Sequence, residues 1–419
     1  MNPINDLLKI ISDFVAGIIS GIFSFSPFLA DLVTMGLAAV ILCTFAALSF
    51  MGLTYVERKV VARIQDRIGP NQAGPFGLLQ PIADGIKMFT KEDTTPASAD
   101  RWVYNAAPLV IAIFALTTYA VLPFAPNVVG TNLNVGAFYL IAIGSGSIVA
   151  ILMAGWGSNN KYALLGAFRT VAQLVGYEVP MLLNVLPVVM LAGSMSLVDI
   201  INKQTTLDGN PGIPFIVFFP LSALVFLISG IAETGRSPFD LLEAESEIVA
   251  GFHVEYSGMK FALFFLGEYV NALAVAFVFS TFFLGGYAGP ILPPYIWLLL
   301  KAAFIFFIFM WLRGTLPRIR IDQMHNLNWK FFVPVSIVHL VVVMALMKLF
   351  VTSPAQAQAF GGILVPPIMQ AAILFVASTT ILIVSLAIAA RYARALRQQE
   401  EAILAQRRAE NLAAVGASA

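Results

Sequence analysis

MKFALFFLGEYVNALAVAFVFSTFFL, residues 259–284, decides the fold. After Lys260 its one charged residue is Glu268, and the rest is apolar or small. A helix of about 20 apolar residues crosses a hydrocarbon core of roughly 30 Å, so this stretch is long enough to span a membrane. Strands of a membrane barrel would alternate in short segments, whereas FFIFMWLR (306–313) and LAIAARYARALR (386–397) run apolar without alternation into a basic end. Helices are therefore expected. Glu268 follows Lys260 by eight residues, about 12 Å of helical rise, which puts a carboxyl inside the bilayer. An ionisable group there faces the interior of a bundle.

Working outward, 419 residues that are 59% hydrophobic and 11% charged exclude a water-soluble domain. Nine spans are expected, at 29–55, 103–125, 136–157, 179–198, 213–232, 259–284, 293–312, 332–351 and 364–390. The fold class is all-α, a polytopic membrane helix bundle with amphipathic surface helices. Residues 5–25 read as an interfacial helix, and the acidic start MNPINDLLKIISDF lacks the pattern of a cleavable leader. Beyond the first span, Leu78, Ile82, Ile86 and Phe89 recur at helical spacing with Asp84, Lys87 and Lys91 on another face, so a short surface helix follows. Cations collect in alternate loops: Arg58 to Arg101, Lys161 and Arg169, Arg236 and Lys260, Arg313 to Lys330, and the tail from Arg391. That pattern predicts an outside N-terminus and a cytoplasmic C-terminus.

Cys43 is the one cysteine and lies in the first apolar run, which excludes disulfides and cysteine-held clusters within the chain. His253, His325 and His339 are scattered too widely for a haem pair or a zinc site. An electron carrier would have to sit on another subunit.

Acids cluster instead. SPFDLLEAESEIVAGFHVEYSG, 237–258, carries Asp240, Glu243, Glu245, Glu247 and Glu255 without a lysine or arginine. Glu243 and Glu247 are one helical turn apart, and like charges so placed compete for protons. A solvated acidic loop that merely orients the chain is the plain reading. Against it stand the apolar residues threaded through the acids, the break in the cation pattern, and further carboxylates at Glu178, Glu233 and Glu268. Together they form a line of protonatable groups from one membrane face inward. Lys301 is open between a buried relay position and a side chain reaching out to the surface, and His339 reads as a packing residue. Glu57, Arg58, Lys59, Arg63, Asp66 and Arg67 are balanced in sign, as in a paired network.

Four blocks carry a resemblance: VERKVVARIQDRIGPNQAGPFGLLQPIADGIKMFTKED (56–93), FRTVAQLVGYEVP (168–180), ETGRSPFDLLEAESEIVAGFHVEYSGMKFALFFLGEYVN (233–271) and RGTLPRIRIDQ (313–323). In these the chain resembles the quinone-chamber membrane subunit of respiratory complex I, the proton-pumping NADH:quinone oxidoreductase. The resemblance implies an eight-span core over 29–351, preceded by the interfacial segment 1–28. The loop and extra ninth span at 352–390 and the basic tail at 391–419 are additions to that core. It implies a quinone chamber bordered by Glu57, Arg58, Arg67, Asp84 and Lys87. It further implies a proton relay of Glu178, Glu233, Asp240, Glu243, Glu245, Glu247 and Glu268, with Arg236 paired to it.

Ubiquinone would be the substrate, no cofactor would be held by this chain, and FMN and iron–sulfur clusters would belong to partner subunits. Those partners would be the peripheral-arm quinone module and antiporter-like membrane subunits, with phospholipid around the spans and no nucleic acid. The location expected is a bacterial inner membrane or an equivalent energy-transducing membrane. Rival readings are the equivalent subunit of a membrane-bound hydrogenase, a stand-alone secondary transporter and a passive scaffold; no inverted repeat favours the transporter.

Overall fold

A computed structural model of the chain describes residues 27–126, 128–207, 210–240, 251–352 and 363–417. Most of the interfacial segment expected at 1–28, and the hinge residues Glu243, Glu245 and Glu247, lie outside the described residues.

Helices account for most of the described residues. In chain order they are α1 (Pro27–Ile64), α2 (Gln80–Thr90), α3 (Arg101–Thr118), α4 (Gly136–Gly144), α5 (Gly146–Gly157), α6 (Lys161–Ala192) and α7 (Leu197–Thr205). Then follow α8 (Phe215–Phe218), α9 (Pro220–Glu233), α10 (Gly258–Phe283), α11 (Pro294–Thr315), α12 (Ile321–Leu327), α13 (Val333–Leu349) and α14 (Pro367–Ala417). Strands among the described residues form three minimal two-stranded pairs, at 123–125 with 128–129, 206–207 with 210–211, and 350–351 with 363–364. The chain is thus an all-α bundle.

Eight helical stretches among the described residues are long and apolar enough to cross a membrane. The remaining expected span, 213–232, is broken: Pro220 has no N–H to continue α8, and a fresh 14-residue helix, α9, starts there. The span expected at 179–198 begins far earlier, at Lys161, and ends at Ala192, where Gly193 takes the left-handed conformation (φ 70°) that closes the helix. The one expected at 332–351 belongs to a longer stretch, Ile321–Leu349, in which residues 328–332 form a π-helical turn between α12 and α13.

The core surrounds α10. Its second half is buried on every side from Ala272 to Phe283, as befits a helix that is apolar all round. It packs against α1, α3, α9 and α11. Phe279, Phe282 and Phe283 ring Phe226 of α9 at centroid distances of 5.6–6.2 Å. Close helix approach depends on small residues: a Cβ on Gly155 would fall 2.4 Å from that of Ala167, joining α5 to α6.

α14 is built into this core. Ser378 accepts the N–H of Leu221 at 3.2 Å, a first-turn donor of α9 without a partner inside its own helix, and Gln370 donates to the Phe350 carbonyl at 2.7 Å. Within a bilayer such donors need an internal acceptor.

Candidate functional site

The turn after α9, residues 234–240, is the site's first piece. Gln173, fully buried in α6, donates to the carbonyls of Ala232 (2.7 Å) and Phe239 (2.8 Å). On the other side Ser237 donates to the Leu316 carbonyl at 3.2 Å, Ile319 N–H to Pro238 O at 3.0 Å, and Arg318 to the Asp240 carbonyl at 3.3 Å. Held from both sides, the turn projects Arg236 into the bundle at 1% exposure.

There Arg236 lies 3.1 Å from Glu57 Oε2, while Arg313 of α11 donates to Glu57 Oε1. Tyr269 and Phe306 each present a ring face 4.8 Å from the Arg236 guanidinium. None of the three Arg236 nitrogens makes an aligned hydrogen bond, so charge and the two aromatic faces hold the group. One carboxylate thus serves two cations. Glu268 lies within electrostatic reach of Arg313 and Tyr269, which brings a second negative group to the cluster.

The second piece is a cavity of about 50 Å³ lined by Thr118, Ser147, Glu233, His253, Glu268 and Asn271 among apolar neighbours. A second, of about 30 Å³, shares Thr118, Gly144, Glu233 and Asn271 with it and continues between Met181, Phe226 and Phe282. A water needs about 10–15 Å³ on this measure, so both have room for water beside Glu233. Glu233 Oε2 is buried without a hydrogen-bond partner. A Cβ on Gly144 would stand 3.2 Å from Glu233 Oε1, so the break between α4 and α5 faces this carboxyl closely. Ser145, in that break, donates to Glu178 Oε1, and Glu178 is within electrostatic reach of Glu233. His253 sits between the rings of Phe252 and Phe261, and burial lowers its pKa from 6.5 to about 4.

The third piece is α2. Arg58 pairs with Asp84 at 2.5 Å, and Gln80 donates to the other Asp84 oxygen at 3.1 Å. Lys87 and Arg67 are exposed, Arg67 bonding to Gln65 at 2.7 Å. The apolar residues Ile82, Ile86 and Phe89 are exposed together along this helix, with Leu78 exposed just before it.

Of the expected residues, Glu57 and Arg236 meet directly, Glu233 and Glu268 line one cavity, and Glu178 stands next to it. Arg58 and Asp84 form a separate, more exposed pair. The network expected within residues 57–67 instead draws its partners from elsewhere: Asp84 for Arg58, and Arg236 and Arg313 for Glu57. The Lys301 ammonium reaches the loop after α10, donating to the carbonyls of Leu284, Gly286 and Ala288 at 2.7–2.9 Å. His339 packs, with Nδ1 3.2 Å from Ser222 Oγ and its edge on Phe219. Sequence reasoning missed Arg313, Gln173 and Asn271. The signal for Gln173 and Asn271 was a lone amide in an apolar run.

Among the described residues no group of three or more His, Cys, Asp or Glu is placed to hold a metal ion. Residues 37–344 match the sequence family described as NADH dehydrogenase. The chain is 50% identical over 303 residues to the H subunit of NADH-quinone oxidoreductase from Dehalococcoides mccartyi (strain CBDB1), covering 72% of this chain and 84% of that one. It is 48% identical over 320 residues to the H 1 subunit of NADH-quinone oxidoreductase from Geobacter metallireducens, covering 74% and 95%. With the H subunit of NADH-quinone oxidoreductase from Paramagnetospirillum magneticum it shares 46% over 332 residues, covering 78% and 95%.

Proposed function

The chain belongs to the family of the NADH-quinone oxidoreductase H subunits, membrane subunits of complex I, and from that premise we propose that it couples quinone reduction to proton movement through its buried carboxylates. The observation that carries this reading is the shared use of Glu57. Its carboxylate holds Arg236 and Arg313 at once, joining the segment that runs into α2 to the turn that follows Glu233.

In this reading Arg58, Arg67, Asp84 and Lys87 border the chamber where ubiquinone is reduced by electrons from partner subunits bearing FMN and iron–sulfur clusters. Reduction adds negative charge and draws protons nearby. A change of charge beside Glu57 alters the field on Arg236 and Arg313, and through Arg313 on Glu268. Glu268 and Glu233 share a cavity with room for water, so a proton can pass between them and on toward Glu178. Asp240, Glu243, Glu245 and Glu247 would feed this line from the cytoplasmic side. Two states with different proton affinities suffice to transmit the change to antiporter-like neighbours. The chain would sit in a bacterial inner membrane or an equivalent energy-transducing membrane, with its N-terminus outside and its C-terminus in the cytoplasm, in contact with phospholipid.

Glu233→Gln tests the reading. It keeps the shape and a hydrogen-bonding group but cannot ionise. Assembled complex with turnover toward quinone cut at least tenfold is expected; assembled complex with unchanged turnover contradicts the relay.

A further inference from the structure

Ser257 stands immediately before α10, where a serine hydroxyl ordinarily accepts an N–H of the first turn. It makes no such bond. Its hydroxyl reaches across to the segment that follows α2, accepting the N–H of Thr94 at 3.1 Å, donating to the Glu92 carbonyl at 3.1 Å and lying 2.9 Å from Thr94 Oγ1. Lys260, on the first turn of α10, pairs with Asp93 at 2.9 Å.

Gly258 completes the seat. Its φ of 56° is one that side chains rarely adopt, and a Cβ there would stand 3.3–3.7 Å from the carbonyls of Lys91, Met88 and Glu92. The seat itself is anchored. Tyr256 and Tyr104 stack at 4.1 Å, Tyr104 donates to the Glu255 carbonyl at 2.8 Å, and Asn160 holds the Glu255 side chain at 2.6 Å. By contrast α2 has no buried residue of its own. A helix that buries so little is placed by what grips its ends.

We propose that Ser257, with Gly258 and Lys260, is a positioning seat for α2, fixing where Asp84 and Lys87 stand beside the quinone and so setting quinone affinity. The proposal rests on the reading above, in which α2 borders the chamber. Ser257 touches no reacting atom. Its loss would let α2 drift, weakening capture of quinone while the electron-transfer step stays as it was.

The test uses the assembled complex and a short-tailed quinone, with NADH oxidation by ferricyanide as the measure of enzyme present. Ser257→Ala, which removes at least two hydrogen bonds, is expected to raise the apparent KM for quinone at least about fivefold, the effect of even one of them, with kcat little changed. Ser257→Thr keeps the hydroxyl and restores KM. In a Cys43→Ser background, the pair Thr94→Cys and Ser257→Cys should show normal KM when oxidised to a disulfide and raised KM when reduced. An unchanged KM in Ser257→Ala, or a raised one that neither threonine nor the disulfide corrects, overturns the seat. Asp84→Asn separates the two claims. An unaltered KM there overturns the chamber reading beneath the seat; a raised KM there beside an unaltered one in Ser257→Ala overturns the seat alone.

Discussion

Glu57 shows what a single buried residue commits the chain to. At 4% exposure, it is the counter-ion for two arginines far apart in sequence, Arg236 in the turn after α9 and Arg313 on α11. Removing its charge strands Arg236 between two aromatic rings, and breaking a buried pair from one side costs about 3–5 kcal/mol. Glu57→Gln should therefore lower the amount of assembled complex on native gels, whereas Arg313→Lys, which retains a cation, should not. His253 gives a pH signature. Its pKa is lowered to about 4 by burial, so between pH 6.5 and 4 the unfolded chain takes up a proton that the folded one refuses. Stability is full above pH 6.5 and falls as pH drops toward 4, by about 3 kcal/mol at the limit. Thermal unfolding of the solubilised complex should show this slope, and His253→Gln should flatten it. Sequence alone exposed the carboxylates, because a charge in an apolar run is conspicuous. It hid Arg313, which at a span's end looks like any cationic anchor and has no acid within a helical turn to betray its partner.

Among the elements, apolar length made most helices legible, and the misreadings have physical causes. Thr170, Gln173 and Tyr177 face the interior of the bundle, buried, so they dilute the apolar signal of the first half of α6 without shortening it. A hydropathy reading assumes lipid on all sides and starts the span too late. At Pro220 the span breaks because the missing N–H stops one helix and starts another, and the acceptor that rescues Leu221 comes from Ser378 of α14, 157 residues away. Such a partner is invisible in local sequence. Where α6 meets the 251–253 turn, a Cβ on Gly166 would stand 2.7 Å from the Gly251 carbonyl carbon. Gly166→Val should overpack this contact by about 1–3 kcal/mol, read as a lower unfolding temperature of the complex; an unchanged temperature would show that the turn yields.

At the scale of the molecule, the proposed function has a surface event become an interior one. The Arg58–Asp84 pair is partly exposed, the Glu57–Arg236 pair is buried, and the cavities at Glu233 lie among residues of α3, α9 and α10. In the proposed function, charge at one end acts on the other through the buried Glu57–Arg236 pair, and buried ion pairs are less screened than exposed ones. The direct measurement is the infrared difference spectrum of the assembled complex on quinone reduction, in the carbonyl-stretch region of protonated carboxylic acids. A band should appear or vanish in the wild type, be lost in Glu233→Gln, and be altered in Arg313→Lys. The same band, unchanged in both variants, would contradict any link between the quinone and these carboxyls.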